Sequence, residues 1–215
     1  MSEQVDWIEK DPFFSRLRTV LQQRPPRRLE LRGFTQAAVL LALWRLDGAP
    51  HVLFIRRSDR VRHHKGEISF PGGVREPRDQ DLYRTAVREA HEEVGLSPDG
   101  VTPLGRLDDA FSFSRYAIAP FAAALPAPRP FRPNSEVAEL LPLPLAGFVP
   151  DQCTVTHREL EGEPVAVYTY EIHGRIIWGA TARVLKGFLD ILHADPDLRR
   201  FVGDLEGQGE APVRR

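Results

Sequence analysis

Three glutamates and an arginine are crowded into the segment REAHEEVG, residues 88–95. Like charges three or four residues apart on a helix repel each other. A helical wheel places Glu89 and Glu93 one turn apart at the edge of an apolar stripe, with Glu92 further round on the same side. Partly buried carboxylates need a cation, and hard divalent ions with oxygen ligands supply one. Taken alone, the segment fits a solvated helix face better.

Two glycines, Gly72 and Gly73, lie just upstream of this segment and predict a turn. Glycine allows the backbone to approach a phosphate closely because it has no Cβ. Mg2+ commonly combines a few carboxylates with the phosphates of a substrate. Carboxylates that follow such a turn therefore indicate metal-assisted cleavage at phosphorus, and this spacing favours a cation site over a solvated surface.

Two longer patterns contain these residues. Segment 72–96, GGVREPRDQDLYRTAVREAHEEVGL, resembles the Nudix box G-x5-E-x7-R-E-U-x-E-E-x-G-U, in which U is aliphatic. It departs from the box because Asp79 replaces the first glutamate, one extra residue precedes Arg88, and Ala90 fills an aliphatic position. Segment 53–73, LFIRRSDRVRHHKGEISFPGG, is similar to the signature L-L-T-x-R-S-x3-R-x3-G-x3-F-P-G-G of the coenzyme A diphosphatase branch. The matching residues are Leu53, Arg57, Ser58, Arg62, Gly66, Phe70, Pro71, Gly72, Gly73, Arg88, Glu89, Glu92, Glu93, Gly95 and Leu96.

This resemblance implies hydrolysis of the diphosphate bond of coenzyme A or its derivatives. The products would be 4′-phosphopantetheine, or its acyl form, and adenosine 3′,5′-bisphosphate. It implies Mg2+ or Mn2+ as the cofactor, since metal ions neutralise the diphosphate and lower the pKa of the attacking water. By resemblance, the metal ligands are Glu89, Glu92 and Glu93, of which Glu92 and Glu93 are also catalytic. The resemblance also implies that Gly72 and Gly73 shape the substrate loop and that Arg88 and Gly95 are structural.

The side chains outside the glutamate cluster have separate expected roles. Arg88 lies nearly opposite the apolar stripe, so we expect it to orient carboxylates through hydrogen bonds. Coenzyme A carries a diphosphate and a 3′-phosphate, which a basic loop would match in charge. That loop contains Arg56, Arg57, Arg62, His63, His64 and Lys65, of which Arg57, Arg62 and Lys65 are the expected substrate contacts and the two histidines are expected to be solvated. The general base is expected to be a loop glutamate outside the box: Glu136 is the first candidate, and Glu139, Asp108, Asp109 and Glu159 stay open.

The apolar pattern predicts the elements that position these residues. Helices are predicted at 6–23, where Pro12 breaks or kinks the first turn, and at 81–94, with Asp79 as N-cap and Gly95 as the stop. A third helix is predicted in TARVLKGFLDILH, and strands in TQAAVLLALWRL, HVLFIRR, EISF, YAIAPFAAAL and the hairpin PVAVYTYEIHGRIIWGA. This order favours a mixed-sheet α/β sandwich over a doubly wound fold, and the resemblance implies the Nudix α/β/α sandwich. The expected organisation is an N-terminal helical extension at 1–30, the Nudix domain at 31–202 and a flexible tail at 203–215.

Composition limits the function classes. The net charge of -1 gives no overall field for nucleic acid or an anionic membrane, and no apolar run is long enough to span a bilayer. The single cysteine, Cys153, excludes an intramolecular disulfide and suits a reducing cytoplasm, and the N-terminus has no hydrophobic signal core. The expected partner is a small-molecule substrate, and a homodimer is left open.

Two rival functions remain at this stage. A broader hydrolase of ADP-ribose, NADH or dinucleoside polyphosphates would carry the same box, because a shared fold does not fix the leaving group. A catalytically silent Nudix domain could instead sense a nucleotide and bind a partner. The intact set of three glutamates argues against the silent domain.

Overall fold

The computed structural model describes residues 3–61, 64–126, 130–149 and 152–202. The helices are α1 (Glu3–Lys10), α2 (Pro12–Gln23), α3 (Leu82–Val94), α4 (Gly179–Ala194) and α5 (Pro196–Val202). The strands are β1 (Thr35–Leu46), β2 (Ala49–Arg57), β3 (Ile68–Ser69), β4 (Gly72–Val74), β5 (Thr102–Arg106), β6 (Ala110–Phe111), β7 (Tyr116–Ala124), β8 (Val137–Pro144), β9 (Thr154–Leu160), β10 (Glu163–Ile172) and β11 (Arg175–Trp178). None of the described helices is long and apolar enough to cross a membrane.

An eight-stranded mixed sheet forms the centre of the fold, with the order β3-β2-β1-β7-β5. Strands β4, β6 and β8 pair with β1, β7 and β2, respectively. β1 and β7 run parallel, whereas β2 and β4 run antiparallel to β1. A separate antiparallel sheet has the order β11-β10-β9. The mixed sheet confirms the predicted fold class.

Helices cover both faces of the central sheet and bury two apolar clusters. On one face, α3 packs Ala86, Ala90 and Val94 against β1 residues such as Leu40. On the other face, α2, α4 and α5 share one cluster with the sheet, in which Phe188 of α4 is fully buried. The predicted apolar stripe of α3 is thus the stripe that faces the sheet, which fixes the direction of its glutamates.

Capping residues determine where α3 begins and ends. The prediction that Asp79 caps this helix is wrong, because Asp81 is the N-cap and accepts the backbone N–H of Arg84 at 2.8 Å. Gly95 ends the helix as predicted, with a φ of 73° and with its N–H directed at the carbonyls of the last turn. Asp79 is left free for another role, described with the site below.

The N-terminal segment forms two helices instead of the single predicted one. Asp11 separates them, since its carboxylate accepts the N–H groups of Phe13 and Phe14 and caps α2. Pro12 occupies the first turn of α2, where its missing N–H costs nothing. Phe13, Phe14 and Leu17 belong to the same apolar cluster as α4, so these helices help to form the core.

Five strands were not predicted: β4, β5, β6, β8 and β9. The segment that forms β8 was expected to be a loop carrying Glu139; it contains Pro142 and Pro144, yet it pairs antiparallel with β2 along most of its length. Proline is tolerated where a strand lies at the edge of a sheet. β9 has exposed residues along nearly its whole length, so it shows no apolar alternation, and its pairing with β10 defines it. The predicted glycine turn at 72–73 is part of β4, whereas the hairpin turn at 173–174 is confirmed. The predicted tail, 203–215, lies outside the described residues.

Candidate active site

The site begins where strand β4 passes beneath helix α3. Gly73 pairs with Ala38 of β1, and a Cβ added at Gly73 would lie 2.5 Å from Cδ of Glu89. A Cβ at Gly72 would lie 2.7 Å from Cα of Val39. Glycine at position 73 therefore allows the glutamate face of α3 to approach β4, and glycine at position 72 allows β4 to pack closely against β1.

Glu93 is the most deeply buried of the three glutamates, with 3% of the residue exposed. Its Oε2 accepts the backbone N–H of Gly72 at 2.9 Å. Burial raises the pKa of Glu93 to about 7, and the Gly72 N–H and the nearby Arg57 guanidinium only partly offset this effect. A carboxylate in this position is incompletely neutralised by the protein alone.

The other two glutamates become progressively more exposed around the helix. The side chain of Glu89 is 18% exposed, and burial raises its pKa despite hydrogen bonding from Arg88. The side chain of Glu92 is 44% exposed. The wheel prediction is confirmed: Glu89 and Glu93 border the buried stripe and Glu92 lies further out.

Arg88 connects two of these carboxylates to the strand. Its Nη1 donates to Glu89 at 2.9 Å and to Glu92 at 3.2 Å, and its Nη2 donates to the carbonyl of Val74 at 3.0 Å. The same guanidinium also donates to the carboxylate of Asp79, from Nε at 2.9 Å and from Nη2 at 3.0 Å. Every nitrogen of this guanidinium therefore has a close acceptor.

Asp79 is the site residue whose role was not predicted from the sequence. It is 7% exposed, and besides Arg88 it accepts the backbone N–H of Glu76 and the hydroxyl of Thr85. The Arg88 hydrogen bonds hold the pKa of Asp79 well below its usual range. The available signal was its position in the acidic slot of the box, because its carboxylate serves Arg88 nine residues later instead of the helix terminus.

Arg57 brings the upstream pattern into the same site. It is the last residue of β2, and its Nη1 lies 3.4 Å from Oε1 of Glu93. Its Nη2 lies 3.9 Å from Oε2 of Glu136, which precedes β8. A residue from each of three separate sequence segments thus meets at one point. Among the general-base candidates, Glu136 is the one that lies near Arg57, which also contacts Glu93 of the glutamate cluster.

The other general-base candidates have different neighbours. Glu139 lies between Arg56 and Arg175, Asp108 and Asp109 pair with Arg24 and Arg106, and Glu159 is exposed on β9. Glu139 is also not a loop residue, since it lies on β8.

The rest of the basic loop is less closely tied to the glutamates. Lys65 is exposed in the turn between β2 and β3, and in the described ranges it has no ion pair with them. His64 is exposed, and its Nδ1 lies 3.0 Å from Glu67. Arg62 and His63 lie outside the described residues.

The carboxylates of Glu89, Glu92 and Glu93 suit a hard divalent cation, and in this structure arginines partly neutralise them. No three His, Cys, Asp or Glu side chains converge as a metal cage in the part of the chain that the structure describes. Instead, Arg57 contacts Glu93, and Arg88 contacts Glu89 and Glu92. Carboxylate oxygens on one helix face, one of them buried and incompletely neutralised, are nevertheless the ligands that Mg2+ and Mn2+ prefer.

Comparison with known proteins adds evidence from outside the chain. Residues 34–143 match the NUDIX domain family. The protein named "Uncharacterized Nudix hydrolase NudL" from Pectobacterium atrosepticum is 34% identical over 165 residues, which cover 76% of this chain and 85% of that relative. Its namesake from Photorhabdus laumondii is 35% identical over 166 residues, which cover 75% of this chain and 86% of that relative.

A solved structure supports the fold over almost the whole chain. The crystal structure of a MutT/nudix family protein from Enterococcus faecalis aligns with a TM-score of 0.53 and covers 94% of this chain and 79% of that one. The sequence identity is 15%, so this similarity concerns the fold alone.

Proposed function

Because the chain belongs to the Nudix hydrolase family, whose members hydrolyse phosphorus-containing anhydrides with divalent metal ions, we propose that it cleaves the diphosphate of coenzyme A or a coenzyme A derivative. The products are 4′-phosphopantetheine, or its acyl form, and adenosine 3′,5′-bisphosphate. Mg2+ or Mn2+ is the proposed cofactor.

The contact between Arg57 and Glu93 carries this proposal. Arg57 belongs to the upstream pattern that resembles the coenzyme A branch, and Glu93 belongs to the Nudix box. Their side chains meet at 3.4 Å, which supports one site built from both patterns. A guanidinium at the edge of a carboxylate cluster can bind a phosphate oxygen while the carboxylates hold a cation.

Each side chain has a proposed task. Glu89, Glu92 and Glu93 would hold the divalent ion, which supplies charge neutralisation at the diphosphate and acidifies the attacking water. The Gly72 N–H fixes the orientation of Glu93.

Three further side chains complete the proposed site. Arg88, itself anchored by Asp79, fixes the carboxylates of Glu89 and Glu92. Glu136 is the proposed general base that accepts the proton of the attacking water. Its carboxylate is half-exposed and lies near the guanidinium of Arg57, which also contacts Glu93.

The substrate-binding set of the proposal is Arg57, Arg62, Lys65, Gly72 and Gly73. Substrate phosphates would lie near the β4 backbone, which the two glycines allow to pack closely against Glu89 and β1. The positive charge of segment 57–65 would match the 3′-phosphate that distinguishes coenzyme A from ADP-ribose and NADH. The proposal sets this reaction in the cytoplasm, in keeping with a single cysteine.

A substrate panel tests the proposal. Coenzyme A, acetyl-coenzyme A, ADP-ribose, NADH and a dinucleoside tetraphosphate are incubated with Mg2+ or Mn2+, and products are identified by mass. We expect coenzyme A or its acyl form to give adenosine 3′,5′-bisphosphate with the highest kcat/KM. Cleavage of ADP-ribose with coenzyme A left intact would replace the specific function with the broader hydrolase, and no cleavage with any metal would favour the silent domain.

A further inference from the structure

The two arginines of the site differ in how fully their donors are used. Arg88 has close acceptors at Nε, Nη1 and Nη2, with distances of 2.9, 2.9 and 3.0 Å. Charge-assisted hydrogen bonds normally measure about 2.7–2.9 Å. Arg88 is therefore held in one arrangement.

Arg57 is held much more loosely. Its contacts are 3.4 Å to Glu93 and 3.9 Å to Glu136, both longer than an ordinary charge-assisted hydrogen bond. Its Nε is buried and has no hydrogen-bond partner among the described residues. The side chain is 22% exposed. A buried donor without a partner is costly, so this guanidinium would gain from a further acceptor.

The backbone that carries Arg57 is nevertheless firmly fixed. The Arg57 N–H donates to the carbonyl of Glu67 at 2.9 Å, and its own carbonyl accepts the N–H of Gly66 at 3.1 Å. The next residue, Ser58, donates its N–H to the carbonyl of Glu136 at 2.7 Å. The freedom is thus confined to the side chain, which can change partners while its Cα stays in place.

We propose that Arg57 is an exchangeable counter-ion of Glu93: it neutralises that carboxylate when no ligand is bound, and it moves to the phosphate oxygens of the substrate when a divalent cation takes Glu93. This inference rests on the proposed function for the identity of the cation and the diphosphate. Arg57 then opposes metal binding in the absence of substrate and favours diphosphate binding in the presence of metal. The two ligands are coupled through one side chain.

The test compares Arg57→Met with Arg56→Met. Arg56 is the matched control because it carries the same charge on the adjacent position of β2 but pairs with Glu139. Mn2+ binding is measured by electron paramagnetic resonance of the free ion, without substrate. Binding of methylenediphosphonate, a diphosphate probe that resists hydrolysis, is measured by calorimetry in saturating Mg2+.

We expect Arg57→Met to bind Mn2+ about tenfold more tightly and methylenediphosphonate about tenfold more weakly than the wild type, whereas Arg56→Met changes Mn2+ binding less than about twofold. Arg57→Lys, which keeps the charge but loses the fork, should keep wild-type Mn2+ affinity and still weaken the diphosphonate. Equal Mn2+ affinities in Arg57→Met and Arg56→Met, or unchanged diphosphonate binding in Arg57→Met, would overturn the exchange.

Glu93→Gln separates this inference from the proposed function. Weaker Mn2+ binding in Glu93→Gln together with no effect of Arg57→Met would overturn the counter-ion exchange and leave the metal site standing. Wild-type Mn2+ binding in Glu93→Gln would remove the proposed metal site itself and the exchange with it.

Discussion

Replacing Glu93 by glutamine should stabilise the metal-free protein at high pH while removing its activity. The folded-state pKa of Glu93 is about 7, against an ordinary value of 4.5. Each unit of pKa difference corresponds to about 1.4 kcal/mol, so ionised Glu93 costs the fold about 3 kcal/mol. Glutamine can still accept the Gly72 N–H through its amide oxygen, and it carries no charge to bury.

The sign of the pH dependence follows from linkage. Because the folded pKa of Glu93 is raised, its favourable contribution is complete below pH 4.5 and is lost as the pH rises through 7. The free energy of unfolding of Glu93→Gln minus that of the wild type should therefore grow by about 3 kcal/mol over this interval and then stay level.

Urea unfolding followed by circular dichroism between about pH 4 and about pH 9, with EDTA present, measures this difference. Glu92→Gln is the matched control, since Glu92 is exposed on the same helix and its difference should stay within about 0.5 kcal/mol. Saturating Mg2+ at high pH should stabilise the wild type and leave Glu93→Gln unchanged. Parallel pH profiles of stability for Glu93→Gln and the wild type would mean that the fold does not raise the pKa of Glu93.

Three further substitutions test the supporting structure. Asp79→Asn should lower the free energy of unfolding by about 3 kcal/mol in urea titrations, because it removes the most deeply buried of the charged partners of Arg88, and a loss below about 1 kcal/mol would contradict the anchoring role. Gly73→Ala should weaken Mn2+ binding about tenfold, since the new Cβ displaces the Glu89 carboxylate, and unchanged binding would show that the close approach is unnecessary. Gly187→Ala, at an exposed position inside α4 with open space around it, should raise the free energy of unfolding by about 0.5–1 kcal/mol and leave Mn2+ binding intact, and a decrease in stability would be the contrary result.

Local patterns were sufficient for the central helix of the site. The four-residue spacing of Ala86, Ala90 and Val94 predicted which side of α3 is buried, and with it the order of exposure of its glutamates. Gly95 marked the end of that helix correctly. These features depend on neighbours in sequence, so a pattern can reveal them.

Features that depend on distant pairing were not available from local patterns. β8 was not predicted because its pairing partner, β2, is distant in the sequence, and the position of Glu136 next to the end of β2 depends on that pairing. Asp79 was predicted to cap the helix because it lies just before it in the sequence. Its hydrogen bond to Arg88 forms only when the preceding loop folds against α3, so the local sequence could not reveal it. The contact between Arg57 and Glu93 likewise requires the sheet and the helix to be assembled.

The kcat/KM for coenzyme A in the presence of Mg2+, measured for the wild type and Glu93→Gln, decides whether the glutamate cluster cleaves coenzyme A. We expect the wild type to form adenosine 3′,5′-bisphosphate and the folded variant to have a kcat/KM lower by a factor on the order of 10³. Coenzyme A left uncut by the wild type, or cleavage at wild-type rate by Glu93→Gln, would contradict this expectation.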